Sequence, residues 1–144
     1  MTIQVSMVPK QYVDTCWDKV EGYLEKAAYY THGRYTVDDI RTSITDYDHD
    51  LWVAFDEEKI KAAVVTNIVV YPKRKLLCMS FCGGENMKEW LDPIIALLRT
   101  YALDMGCDGL EATARRGWSR VFKNDGYDGK WVTFELPVEG VQHG

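Results

Sequence analysis

Between residues 51 and 82 the chain carries three apolar runs, "LWVAF", "IKAAVVTNIVVY" and "LLCMSFC", separated only by the charged stretches "DEEK" and "PKRK". Connections that short join antiparallel neighbours, so the three runs are expected as consecutive strands of one sheet. Two of the strands are apolar on both faces, which fits a sheet covered on both sides. The rest of the chain must therefore supply cover for two faces.

Two apolar stripes at helical spacing do so. From Lys10 onward, Val13, Cys16, Trp17, Val20, Leu24, Ala27 and Ala28 recur at three and four, which predicts an amphipathic helix ending near Gly33. Met87, Trp90, Leu91, Ile94, Ile95, Leu98, Tyr101, Ala102 and Met105 trace a second, closed by Gly106. Within it, Asp92 and Pro93 either start the helix or kink it. A shorter helix is expected in "TVDDIRTSI", where Thr36 and Asp39 have the spacing of a capping box and Val37, Ile40 and Ile44 face inward. "TIQVSMV" alternates like a half-buried first strand and stops at Pro9. After the long helix come a short strand, "GLEATA", a helix in "RRGWSRVFKNDGY" and a last strand, "KWVTFELPV". Trp118, Val121 and Phe122 share one face of that last helix and are expected against the sheet. The order β–α–α–β–β–β–α–β–α–β predicts an α/β fold with a mixed, mostly antiparallel sheet and helices on both faces.

The 144 residues are expected to form one domain, with a core over residues 3–137 and a short C-terminal tail. No apolar run approaches the roughly 20 residues that cross a bilayer. The N-terminus has neither the basic nor the apolar segment of a signal peptide, so a cytoplasmic protein is expected, without a membrane role. A net charge of −5 argues against a general nucleic-acid binder. Cys16, Cys78, Cys82 and Cys107 are scattered and read as buried, reduced thiols. Cys78 and Cys82 stand four apart, on one face of a regular strand and about 13 Å apart, too far for a disulfide. With His32, His49 and His143 dispersed, no metal site is expected.

The element order, with "LWVAFDEEKIKAAVVTNIVV", a long helix ending "YALDMG" and the terminal "RRGWSRVFKNDGY", resembles the GCN5-related N-acetyltransferase (GNAT) superfamily, and most of all divergent members from tailed phages. The resemblance implies that the fourth and fifth strands splay apart and that acyl-CoA, such as acetyl-CoA, lies in the gap. Its pyrophosphate would sit on backbone N–H groups at the start of the long helix, a usual anion site. The family's phosphate loop, R-x-x-G-x-G/A, falls on residues 86–91, which carry no Arg or Gly in its required places. The glycines lie just upstream, so an altered loop over residues 82–86 is implied, and Phe81, Cys82, Gly83, Gly84, Glu85 and Asn86 are the candidate cofactor site, with Arg115 and Arg116 for CoA phosphates. By themselves Gly83 and Gly84 read first as a bulge or tight turn entering the helix, and only second as a phosphate cradle.

Many family members protonate the departing thiolate with a Tyr that maps here to Phe122, and a family Asn maps to Arg115. Tyr127 and Tyr101 are the substitute hydroxyls. A general base is also needed, for which Glu85 after the fourth strand and Glu111 on the fifth are candidates, each also readable as a solvated carboxylate. The resemblance implies an acyl-CoA-dependent N-acyltransferase with a small-molecule donor. The departures support an alternative: a non-catalytic phage protein on the same scaffold, in host cytoplasm or virion, with a protein partner.

Overall fold

The computed structural model describes residues 2–114, 118 and 133–138. Contacts divide the chain into two compact units, Met1–Thr113 and Ala114–Gly144. The first holds, in order, β1 (Gln4–Val8), α1 (Val13–Tyr29), α2 (Val37–Asp46), β2 (Asp50–Phe55), β3 (Ile60–Val70), β4 (Lys75–Gly84), α3 (Met87–Asp104) and β5 (Gly109–Ala112). Its sheet runs β1-β2-β3-β4-β5, antiparallel through β4, with β5 parallel to β4.

The two helical stripes cover opposite faces, as the apolar strands require. Val13, Trp17, Val20 and Leu24 of α1 and Ile40 and Ile44 of α2 pack with Leu51, Val53, Ala63, Val65 and Phe81. Residues of opposite parity, among them Trp52, Ala54, Ala62 and Val64, are buried on the other face. There the Trp52 ring meets Tyr101 of α3 edge-on at 5.1 Å. Burying side chains of this size contributes roughly 1.5–3 kcal/mol each. The one buried hydroxyl in these strands, Thr66, accepts from Trp52 Nε1 at 2.8 Å, so it is not left unsatisfied.

Local chemistry closes the elements. Thr36 and Asp39 form the expected reciprocal capping box of α2. The β2–β3 turn is fixed by Asp56, whose Oδ1 accepts from the N–H groups of Glu58 and Lys59. Those bonds hold the Asp56 carboxyl below its ordinary value. Gly106, at φ 74°, ends α3, and Lys75 Nζ donates to the Met105 carbonyl at 2.6 Å. Lys75 and Asp108 exchange further bonds, which set β5 beside the start of β4.

Four expectations are corrected. Helix α1 stops at Tyr29 rather than near Gly33, because the N–H groups of Tyr30 and Thr31 and the Thr31 hydroxyl already take the last carbonyls. Of the two readings of Asp92 and Pro93, the helix start is overturned: α3 begins six residues before Pro93, which lies inside it. Cys78 and Cys82 do not share a face. Val65 pairs with Phe81 while Thr66 pairs with Met79, so Ser80 is an extra residue in β4. Their partners, Asn67 and Val64, are three apart and therefore point oppositely. The last strand is not formed over the described residues 133–137, where Phe134 and Leu136 are exposed. Alternation fixes which side chains share a face, but a strand also needs a ladder partner.

Candidate active site at the β4–β5 gap

Strand β4 is paired with β3 along its whole length, but with β5 only through residues 76–79. Beyond the Met79–Ala112 pair, residues 80–84 have no described partner on the β5 side. The described β4–β5 ladder therefore ends beside the Ser80 bulge.

The ladder fixes which amides face the opening. Glu85 N–H donates to the Lys61 carbonyl at 2.9 Å, so Glu85–Lys61 is a hydrogen-bonded pair. Antiparallel pairs alternate between bonded and non-bonded, which makes Ala63–Gly83 bonded and leaves Val64–Cys82 and Ala62–Gly84 unbonded. Cys82 and Gly84 thus turn their N–H and C=O groups away from β3, toward the side on which no partner strand is described. Two residues later comes Asn86, the N-cap residue of α3, which is left-handed (φ 53°) and gives no side-chain cap bond. In the first turn Glu89 N–H donates to the Asn86 carbonyl at 2.9 Å, while the N–H groups of Met87 and Lys88 lie ahead of the intrahelical ladder and carry the positive end of the helix dipole. Trp90 Nε1 holds the connection by donating to the Glu85 carbonyl at 2.8 Å.

The glycine pair is explained by close approach. A Cβ on Gly83 would overlap the Tyr23 carbonyl of α1, and one on Gly84 would lie 2.6 Å from Ala62 Cβ. These residues are strand, not loop: only Glu85 and Asn86 connect β4 to α3, and residues 87–91 are helical. The altered loop expected over residues 82–86 is thus a strand end and a two-residue connection.

The candidate residues separate as follows. Phe81, Cys82, Gly83, Gly84, Glu85 and Asn86 run consecutively along the edge to the helix start, and Glu111 lies on β5 opposite Cys78, one pair short of the end of the ladder. Glu85 is ion-paired to Lys59 at 2.5 Å, and that ammonium holds its carboxyl below the usual range. The Cys82 thiol is pushed up to about 12 by burial, which makes it inert. Tyr101 stands away from the gap, donating to Asp50 at 3.3 Å beside Trp52. Arg115, Arg116, Phe122 and Tyr127 lie outside the described residues; Trp118 is helical and half-buried. Glu111 accepts from the Tyr71 hydroxyl through both oxygens, at 2.8 and 2.9 Å. Tyr71 carries no sequence signal that links it to a residue 40 positions away. Nor does Tyr35 of the α1–α2 connection, whose ring meets Phe81 edge-on at 5.1 Å.

Among the described residues no group of three or more His, Cys, Asp or Glu could hold a metal, and no helix is long and apolar enough to cross a membrane.

No family model and no curated protein matches the sequence. Solved structures do. An aminoglycoside acetyltransferase from an uncultured soil metagenomic sample superposes at TM-score 0.71 with 12% identity, covering 96% of this chain and 100% of that one. Glucosamine-6-phosphate N-acetyltransferase from Arabidopsis thaliana gives TM-score 0.65 at 14% identity, over 96% and 100% of the two chains. A predicted acetyltransferase with acetyl-CoA from Clostridium acetobutylicum gives 0.66 at 10% identity, over 95% and 97%. The chain has the GNAT fold. Within it, β4, β5 and α3 are the elements whose gap and helix start are set out above.

Proposed function

We propose that this GNAT-fold protein transfers an acyl group from an acyl-CoA, with acetyl-CoA the simplest donor, to an amine. One observation carries the reading: the amides of Cys82 and Gly84, on the edge of β4 that has no partner among the described residues, lead directly to the start of α3, which has no side-chain cap. A thioester carbonyl at that edge would accept from a β4 N–H, which stabilises the oxyanion formed on attack. The pyrophosphate would be met by the N–H groups opening α3, so backbone alone replaces the absent phosphate-loop arginine and glycines. Arg115 and Arg116, three and four residues beyond β5, are retained for the outer phosphates, and Tyr127 as a proton donor to the thiolate.

Phage origin and host or virion location extend the same resemblance and rest on the sequence pattern alone. Thermal denaturation with acetyl-CoA, CoA and longer acyl-CoAs tests the proposal. A ligand at 100 times its Kd is expected to add about 2.7 kcal/mol to stability. No shift with any of them at millimolar concentration contradicts it and favours the alternative, a scaffold that binds a protein partner.

A further inference from the structure

Two carboxylates border the gap, and their surroundings differ. Glu85 has a lysine against it. Glu111 has no lysine or arginine at ion-pair distance among the described residues, and its hydrogen-bond partner is the neutral phenol of Tyr71.

The position of Glu111 follows from register. It pairs with Cys78, one step before the last β4–β5 pair. By alternation Asn67, Cys78, Ser80 and Glu111 share the α1 face of the sheet, yet none belongs to the apolar cluster under α1 and α2. That cluster ends at Val65 and Phe81. Beyond it the face becomes polar: Ser80 bonds to Asn67, and the Cys78 thiol lies near Glu111. Burial, reinforced by that carboxylate, raises the Cys78 thiol, so it stays neutral and puts no second negative charge beside Glu111. Tyr71 occupies both Glu111 oxygens with one proton, while an ionised carboxylate accepts about four. It fixes the group and leaves room for another donor.

Resting on the acyl-transfer reading above, we infer that Glu111 receives the proton of an ammonium acceptor lying on this polar face over Ser80 and Asn67, and that Tyr71 is its positioning residue. The ammonium gives one proton to the Glu111 carboxylate. The freed nitrogen lone pair attacks the thioester carbon, the C–N bond forms and the C–S bond breaks. The sulfur leaves with the bonding pair and takes up the second amine proton. Glu85 has no part in the transfer, because Lys59 already neutralises it.

The test measures CoA thiol release by the full chain with acetyl-CoA and tyramine, cadaverine, glucosamine or hydroxylamine, alongside acetyl-CoA binding by thermal shift. For Glu111→Gln, kcat with the cationic amines is expected to fall by about 100-fold, the scale of general-base catalysis. The acetyl-CoA shift should be unchanged. With hydroxylamine, already neutral at the assay pH, the loss should shrink to below about tenfold, since no proton need be removed first. Tyr71→Phe is expected to lower kcat about tenfold, the worth of a hydrogen bond to a charged group, with KM for acetyl-CoA unchanged. Absence of acetyl-CoA binding by the wild type overturns the acyl-transfer reading itself. Binding without release to any amine overturns this inference while the donor site stands. Release that Glu111→Gln does not alter, or that falls equally for hydroxylamine, overturns the assignment of Glu111 alone.

Discussion

The two halves of β4 are built from one strand and are held in different ways. Residues 76–79 are hydrogen-bonded on both sides, to β3 and β5, and Leu77 and Met79 are buried on the α3 face. Residues 80–84 keep β3 but have no described strand on the other side. What fixes the second half is the backbone of α1, pressed against Gly83. An open row of amides in the middle of a sheet is a liability that folding alone does not favour. Among the described residues these amides have no strand partner, and on the proposed reading acyl-CoA would supply the acceptors.

If the first half is the rigid anchor, its side chains carry the larger energies. Leu77→Ala is expected to cost about 2–5 kcal/mol in denaturant unfolding, since Leu77 is fully buried. A loss well under 1 kcal/mol would remove the contrast. The second half should be more sensitive to added atoms than to lost ones. Gly83→Ala is expected to cost about 1–3 kcal/mol, because α1 backbone rather than a flexible side chain must move. Neutral behaviour would mean that α1 does not pack there. The smallest effect is at the rim. Lys59→Ala should leave stability within error, since the pair is exposed, while the Glu85 carboxyl rises toward its ordinary value in an NMR titration. The sign follows from the depressed carboxyl. Any stability from the pair is present above the ordinary Glu value of about 4.3 and is lost as pH falls through the lower folded value.

Much of this was legible in the sequence, and the boundary is physical. The three apolar strands, the α1 and α3 stripes and the Thr36–Asp39 box are local patterns with fixed periods, and each forms in place. The Ser80 bulge is not local: it exists only in the register of β4 against β3, and it reversed the facing of Cys82 relative to Cys78. The glycine pair announced a close approach, but the approaching group, Tyr23 of α1, is 60 residues away in sequence. The Tyr71–Glu111 pair spans 40 residues, so only the folded β3, β4 and β5 bring it together. Alternation in "KWVTFELPV" named a strand without naming its partner, and residues 133–137 show none.

The open edge is tested most directly by an amide NMR titration of the full chain with acetyl-CoA. The expected result is saturable shifts centred on the amides of Cys82, Gly84, Met87 and Lys88, with Leu77 and Met79 nearly unmoved. Shifts confined to other parts of the chain, or none at millimolar acetyl-CoA, would contradict the assignment of this gap as the acyl-CoA site.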